Sequence, residues 1–130
     1  MKIKNKQIVI MAENLINSFN DNTKYFPAKI IFIIHKNLML LENLAEEIYQ
    51  IRDNIVNHYG TLEDEKQNTF FIPEHDRKQA QAELDELLEL EQEVPLITIH
   101  FKQIKDLEFT LNQMKALMPM IEEDEEDQVE

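Results

Sequence analysis

The chain has 130 residues, 43% of them hydrophobic, with no cysteine, one glycine and a formal charge of −13 from 26 acidic against 13 basic residues. That length suits one domain with its own core. The missing thiols exclude disulfides, thiolate metal sites and cysteine nucleophiles, and a lone glycine excludes the Gly-rich loops that let backbone N–H groups reach a nucleotide phosphate.

The acidic excess, with only Arg52 and Arg77 as arginines, disfavours direct binding to nucleic acid or to an anionic membrane, both of which require clustered cations, and points to a basic protein partner. The charge is uneven. Residues 122–130 hold seven carboxylates, and removing those from −13 leaves −6 for residues 1–121. The opening MKIKNKQIVIM lacks a signal-peptide design, and the most apolar run, Ile30 to Ile34, stops at His35-Lys36-Asn37, short of a membrane span. The expected setting is the cytoplasm.

Met1 to Lys4 alternates as a short strand, and Asn5 is placed to cap a helix carrying Ile8, Met11, Ala12, Leu15, Ile16 and Phe19 on one face. Asn20 to Lys24 is a polar connection. The chain is then organised around one long helix from Pro27 to Tyr59. In it Ile34, Leu41, Ile48 and Ile55 recur every seven residues, with Leu44 and Ile51 between them, so a packing seam runs along most of its length. Proline suits the first turn, and Gly60 sits where a helix end favours a left-handed residue.

Thr61 to Pro73 is a connector whose Asn68-Thr69-Phe70-Phe71-Ile72-Pro73 portion is apolar enough to lie back on the core. A helix over Glu74 to Glu93 sets Ala80, Leu84, Leu87 and Leu88 against a carboxylate-rich outer side. Leu96 to Phe101 and Leu107 to Phe109 read as short strands. Thr110 and Gln113 form a capping box for a last helix bearing Leu111, Met114, Leu117, Met118 and Ile121, which Pro119 must kink or shorten.

Helix lengths place these pieces. The first helix returns antiparallel along the near half of the long one and the Glu74 helix along the far half, bringing the strands beside them together near its middle. The expected fold is α+β, mainly α: one long central helix flanked by two antiparallel helices, a small two- or three-stranded sheet and a C-terminal helix. Residues 1–121 form a single domain and residues 122–130 an acidic flexible tail.

No catalytic, cofactor or metal site is expected. Ser18 is the sole serine, and His35, His58, His75 and His100 are scattered over different elements without helical ligand spacing. Glu83, Asp85, Glu86 and Glu89, with Glu122, Glu123, Asp124 and Glu125 of the tail, are candidates for partner binding. As a nucleic-acid mimic the Glu74–Glu93 helix alone is weak, because its net −6 compares with about 18 charges on duplex DNA over the same ~30 Å, and only the addition of the acidic tail makes mimicry an open alternative. Ile30, Phe32, Ile33, Met39 and Leu40 lie in a stretch apolar on nearly every side, more than one covering helix hides, and are candidates for self-association into a homodimer.

The opening Asn5-Lys6-Gln7-Ile8, the His58-Tyr59-Gly60-Thr61-Leu62 helix end and the closing Leu111-Asn112-Gln113-Met114 and Met118-Pro119-Met120-Ile121-Glu122-Glu123 together resemble a family of small phage and prophage proteins of Gram-positive bacteria, of unknown function. These motifs are structural punctuation and transfer no catalytic residue. The resemblance implies a phage setting, in which small acidic non-enzymatic proteins bind host machinery or help to build the virion. The expected function is therefore binding to a basic host or phage protein, above all a host defence or nucleic-acid-handling protein, inhibiting or redirecting it in the host cytoplasm. The alternative is a self-associating accessory of virion or tail assembly.

Overall fold

The computed structural model describes residues 1–19, 26–64 and 69–122, with the backbone alone for 61–64 and 69–71. The Asn20 to Lys24 connection, Asn68 and Glu123 to Glu130 lie outside the described residues. The protein is mainly helical. Strand β1 (Lys2–Lys4) leads into helix α1 (Asn5–Ser18), and the central helix α2 spans Ala28–Tyr59. A hairpin of β2 (Thr61–Asp64) and β3 (Thr69–Phe71) precedes α3 (Glu74–Glu89) and β4 (Glu91–Glu93). Then follow β5 (Ile99–His100), α4 (Phe101–Ile104), α5 (Leu111–Leu117), a 3-10 turn at Met118–Met120 and β6 (Ile121–Glu122).

Helix α2 is as long as its apolar repeat demands, 32 residues or about 48 Å at 1.5 Å per residue. Pro27 holds the cap position, and its carbonyl accepts from the N–H groups of Ile30 and Ile31 at 3.0 and 3.1 Å. At the other end Gly60 donates to the Val56 carbonyl at 2.7 Å. Its φ and ψ of −116° and 169° are extended, not the left-handed values expected. The chain leaves α2 directly into β2, so the helix stops because the hairpin begins and any residue fits there.

The seam forms as its spacing requires. Ile34, Leu41 and Ile48 are buried, and Leu44 and Ile55 pack against them half-buried. Ile51 departs from it at 47% exposure. Ile8, Met11, Ala12 and Leu15 of α1 complete that core, while Ile16 is exposed. Helix α1 lies beside the middle of α2, not its near half, since Val9, Ala12, Glu13 and Ile16 border Glu42, Ala45, Glu46 and Tyr49. The C-terminal segments bury the near half instead: Asn37 bonds to Ile97 and Met120, and Phe26 stacks on Phe109 at 5.1 Å while meeting Phe19 edge-on at 6.2 Å.

Asn5 does not cap α1. It is the helix's first residue, buried, and its amide donates to the Leu87 carbonyl and accepts from Gln92 Nε2, both at 2.8 Å. This amide ties the start of α1 to the end of α3, which explains why α3 stops at Glu89 and not at Glu93. The next residues extend to pair antiparallel with β1, Lys2 opposite Glu93 and Lys4 opposite Glu91. The strand before α1 thus does pair with one after α3, but with Glu91–Glu93 and not with Leu96 to Phe101. In that later stretch only Ile99–His100 is a strand, parallel to Ile121–Glu122. Leu107 to Phe109 pairs with no strand; it is an irregular stretch after the turn at 105–106, and its Leu107 and Phe109 pack on the core.

The β2–β3 hairpin is an element that periodicity did not reveal. The capping box at α5 forms as read, with Gln113 N–H donating to Thr110 Oγ1 at 3.1 Å and Thr110 N–H to Gln113 Oε1 at 2.9 Å. Gln113 also donates to the Ser18 carbonyl at 3.1 Å, which ties α5 to the end of α1. Leu111 is 71% exposed, outside the apolar face assigned to it. Pro119 converts the end of α5 into the 3-10 turn, because it removes a helical donor and crowds the preceding turn.

Candidate binding surface

The expected partner-binding carboxylates occupy several elements. Glu83, Asp85, Glu86 and Glu89 are exposed on α3, and exposed Glu91 and Glu93 continue the acidic line into β4. Glu122 belongs to β6, opposite His100, so it is not part of a detached tail. Glu123, Asp124 and Glu125 lie outside the described residues.

Several of these acids already have partners. Glu89 receives Lys4 Nζ at 2.8 Å and Lys6 Nζ at 2.7 Å, and the two ammonium groups, Lys4 foremost, hold its carboxyl down to about 2. The same contact raises the Lys4 ammonium. Glu83 accepts from the Tyr59 hydroxyl, and that bond, followed by burial, raises the phenol above its usual range. Asp85 accepts from Gln81 Nε2 at 2.9 Å, one helical turn back. Glu89 is thus a fastening between α3 and the chain's first residues, and the part of α3 best presented to a partner is Glu86 with its neighbours Glu83 and Asp85.

The stretch assigned to self-association divides by burial. Ile30 and Ile33, at 2% and 6% exposure, are core residues and not self-association contacts, because they pack in the hydrophobic cluster with the C-terminal segments. Leu40 packs half-buried against the same core. Phe32 and Met39 are exposed at 57% and 43%, joined by Ile31 at 47%.

Sequence reading missed a furrow where α1, α2 and α3 meet. A cavity of about 410 Å³ has Val9, Ile48, Leu84 and Leu87 as its apolar floor. A second of about 140 Å³ continues it between α1 and α2, and the two share Val9, Glu13 and Tyr49. Across the junction Tyr49 Oη donates to Glu13 Oε1 at 3.3 Å, and the Arg52 guanidinium lies 4.8 Å over the Tyr49 ring. Arg52 is itself held by Asp53 at 3.0 Å. Burial, then the Glu13 charge, raises the Tyr49 phenol above its usual range. The arrangement offers a hydroxyl, a guanidinium and carboxylates around an apolar floor, a composition suited to binding. Tyr49 and Arg52 at a three-residue step gave a hint of a shared face, but Glu13 reaches them only through the tertiary fold.

Among the described residues, no group of three His, Cys, Asp or Glu side chains gathers to hold a metal, and no helix is long and apolar enough to cross a membrane. His35, His58 and His75 are exposed, with His58 edge-on to Tyr59 and His75 3.3 Å from Asp76.

No family model, curated protein or solved structure matches the chain.

Proposed function

We propose that this is a non-enzymatic, phage-encoded acidic protein that binds a basic protein in the host cytoplasm and inhibits or redirects it. One observation carries the reading: exposed carboxylates continue from α3 into β4 on a chain of net charge −13. Such a surface attracts a cationic partner from a distance and repels nucleic acid and anionic lipid. The fastening of Glu89 to Lys4 and Lys6 favours Glu83, Asp85 and Glu86 as the contact residues.

The test is capture of host proteins on the immobilised full chain at low and high salt, alongside a Glu83→Lys, Asp85→Lys, Glu86→Lys variant. A partner retained at low salt, released at high salt and lost by the variant supports the reading. A partner held equally by both proteins, or no partner at all, overturns it.

A further inference from the structure

The face of α2 turned away from the core changes character along its length. Towards its start Ile31, Phe32 and Met39 are exposed among exposed Lys29, His35 and Lys36, and Lys36 Nζ lies 5.5 Å from the Phe32 ring centre. Further on the same face carries Glu46, Glu47 and Gln50, and beside it lies the α1–α2 furrow with Glu42, Glu46 and Tyr49 at its edge. One half is a basic apolar ridge; the other is a furrow edged by Glu13, Glu42 and Glu46, whose one cation among the described residues, Arg52, is already paired with Asp53.

His35 and Glu46 are eleven positions apart, as are Lys36 and Glu47. Eleven residues make just over three whole turns, so each pair lies on one strip of the helix surface. When two identical helices pack antiparallel about a two-fold axis, each strip meets its own copy reversed in direction. A strip that is basic at one end and acidic at the other then satisfies itself.

We propose that two copies of this chain pair antiparallel along the outer face of α2, about a two-fold near residue 41. Lys36 of each copy meets Glu47 of the other, and His35 meets Glu46. Ile31 and Phe32 enter the furrow beside Tyr49 of the second copy, and the Met39 side chains cover the centre. This interface is separate from the α3 surface, so neither proposal depends on the other. Complementarity selects the occupant: residues 123–130, with six carboxylates, match only the basic ridge and carry the wrong charge for the furrow, whereas a second copy satisfies both halves at once.

Sedimentation equilibrium of the full chain at low ionic strength tests the pairing, with far-UV circular dichroism confirming that each variant is folded. The expected mass is twice 15.5 kDa. Lys36→Glu and Glu47→Lys each replace two attractions by two repulsions and should weaken the dimer by roughly tenfold or more. The double variant Lys36→Glu, Glu47→Lys restores opposite charges and should return the dissociation constant to within about threefold of the parent. Glu83→Lys, Asp85→Lys, Glu86→Lys should leave the mass unchanged. A monomer at every concentration overturns the proposal and leaves the ridge to a foreign partner or to residues 123–130. Single variants that dissociate without rescue in the double variant overturn the antiparallel pairing.

Discussion

Asn37 is the point at which the C-terminal third of the chain is attached to α2, and replacing it should reveal how much that attachment contributes. The residue is 1% exposed in the near half of the long helix. Its Nδ2 donates to the Ile97 carbonyl at 2.8 Å and lies 3.2 Å from the Met120 sulfur, while its Oδ1 accepts from the Ile97 N–H at 2.8 Å. One side chain therefore satisfies both backbone groups of a residue 60 positions away. Asn37→Leu keeps the branched heavy-atom skeleton and removes both bonds. Each neutral hydrogen bond contributes about 1 kcal/mol net, and stranding its backbone partner costs about 1–3 kcal/mol where water is excluded. The Ile97 side chain is 41% exposed, so water reaches part of the site and the lower end applies: about 2–3 kcal/mol in total.

With a urea slope of about 1.5–2 kcal/mol per molar, that loss lowers the unfolding midpoint by roughly 1–2 M. Circular dichroism reports the midpoint. Amide hydrogen exchange at Ile97 reports the bond directly and should accelerate far more than exchange at Leu15 or Ile48. Asn37→Asp retains the acceptor for the Ile97 N–H but sets a carboxylate against its carbonyl, so its deficit should be larger at neutral pH than in acid. A midpoint for Asn37→Leu within about 0.3 M of the parent, with Ile97 still protected, would refute the assignment of this amide as an anchor.

Glu89 makes the first residues of the chain sensitive to acid. Its carboxyl is depressed from 4.5 to about 2 by Lys4 and then Lys6; the unfolded chain binds the proton more readily, so this contribution is present above about 4.5 and is lost as pH falls through about 2. Urea midpoints measured between those values should fall more steeply for the parent than for Glu89→Gln, and parallel profiles would contradict the contact. Leu41→Ala removes a side chain with 0% exposure from the centre of the seam and should cost about 3–5 kcal/mol in denaturant unfolding. Ile51→Ala, on the Leu44 series of the same seam but 47% exposed, should stay within about 0.5 kcal/mol. Thr110→Ala deletes the α5 cap and should cost about 1 kcal/mol, whereas Thr110→Ser should retain most of it; equal losses in both would show that the hydroxyl bond to the Gln113 N–H is not what stabilises α5.

The acidic surface on α3 was legible in outline because exposed carboxylates appear in a sequence as residues left over from the apolar period. Its fastening was not, since Lys4 and Lys6 are distant in sequence from Glu89 and nothing in their spacing announces the contact. The split within the self-association stretch was equally hidden. Ile30 and Phe32 are both large apolar residues in one run, and only the arrival of the C-terminal segments on one side of α2 separates core from surface. The furrow needs three helices at once, and its polar edge joins Glu13 to Tyr49 and Arg52 across two of them.

What the sequence by itself determined is local and periodic: the extent of α2, the buried face of α1 apart from Ile16, the Ala80 and Leu87 side of α3 though not Leu88, the box that starts α5 and the stop at Pro119. Each follows from backbone geometry repeated every few residues, so a short window contains the whole cause. Tertiary structure decided the rest. It turned Asn5 from a cap into a tie between α1 and α3, and converted Glu91–Glu93 from helix to strand because β1 was there to pair with. It also closed the near half of α2 with segments from the far end of the chain. The physical reason is that a buried amide or a strand edge is satisfied by whichever partner the fold brings within hydrogen-bond reach, and that partner is set by how all the helices pack together.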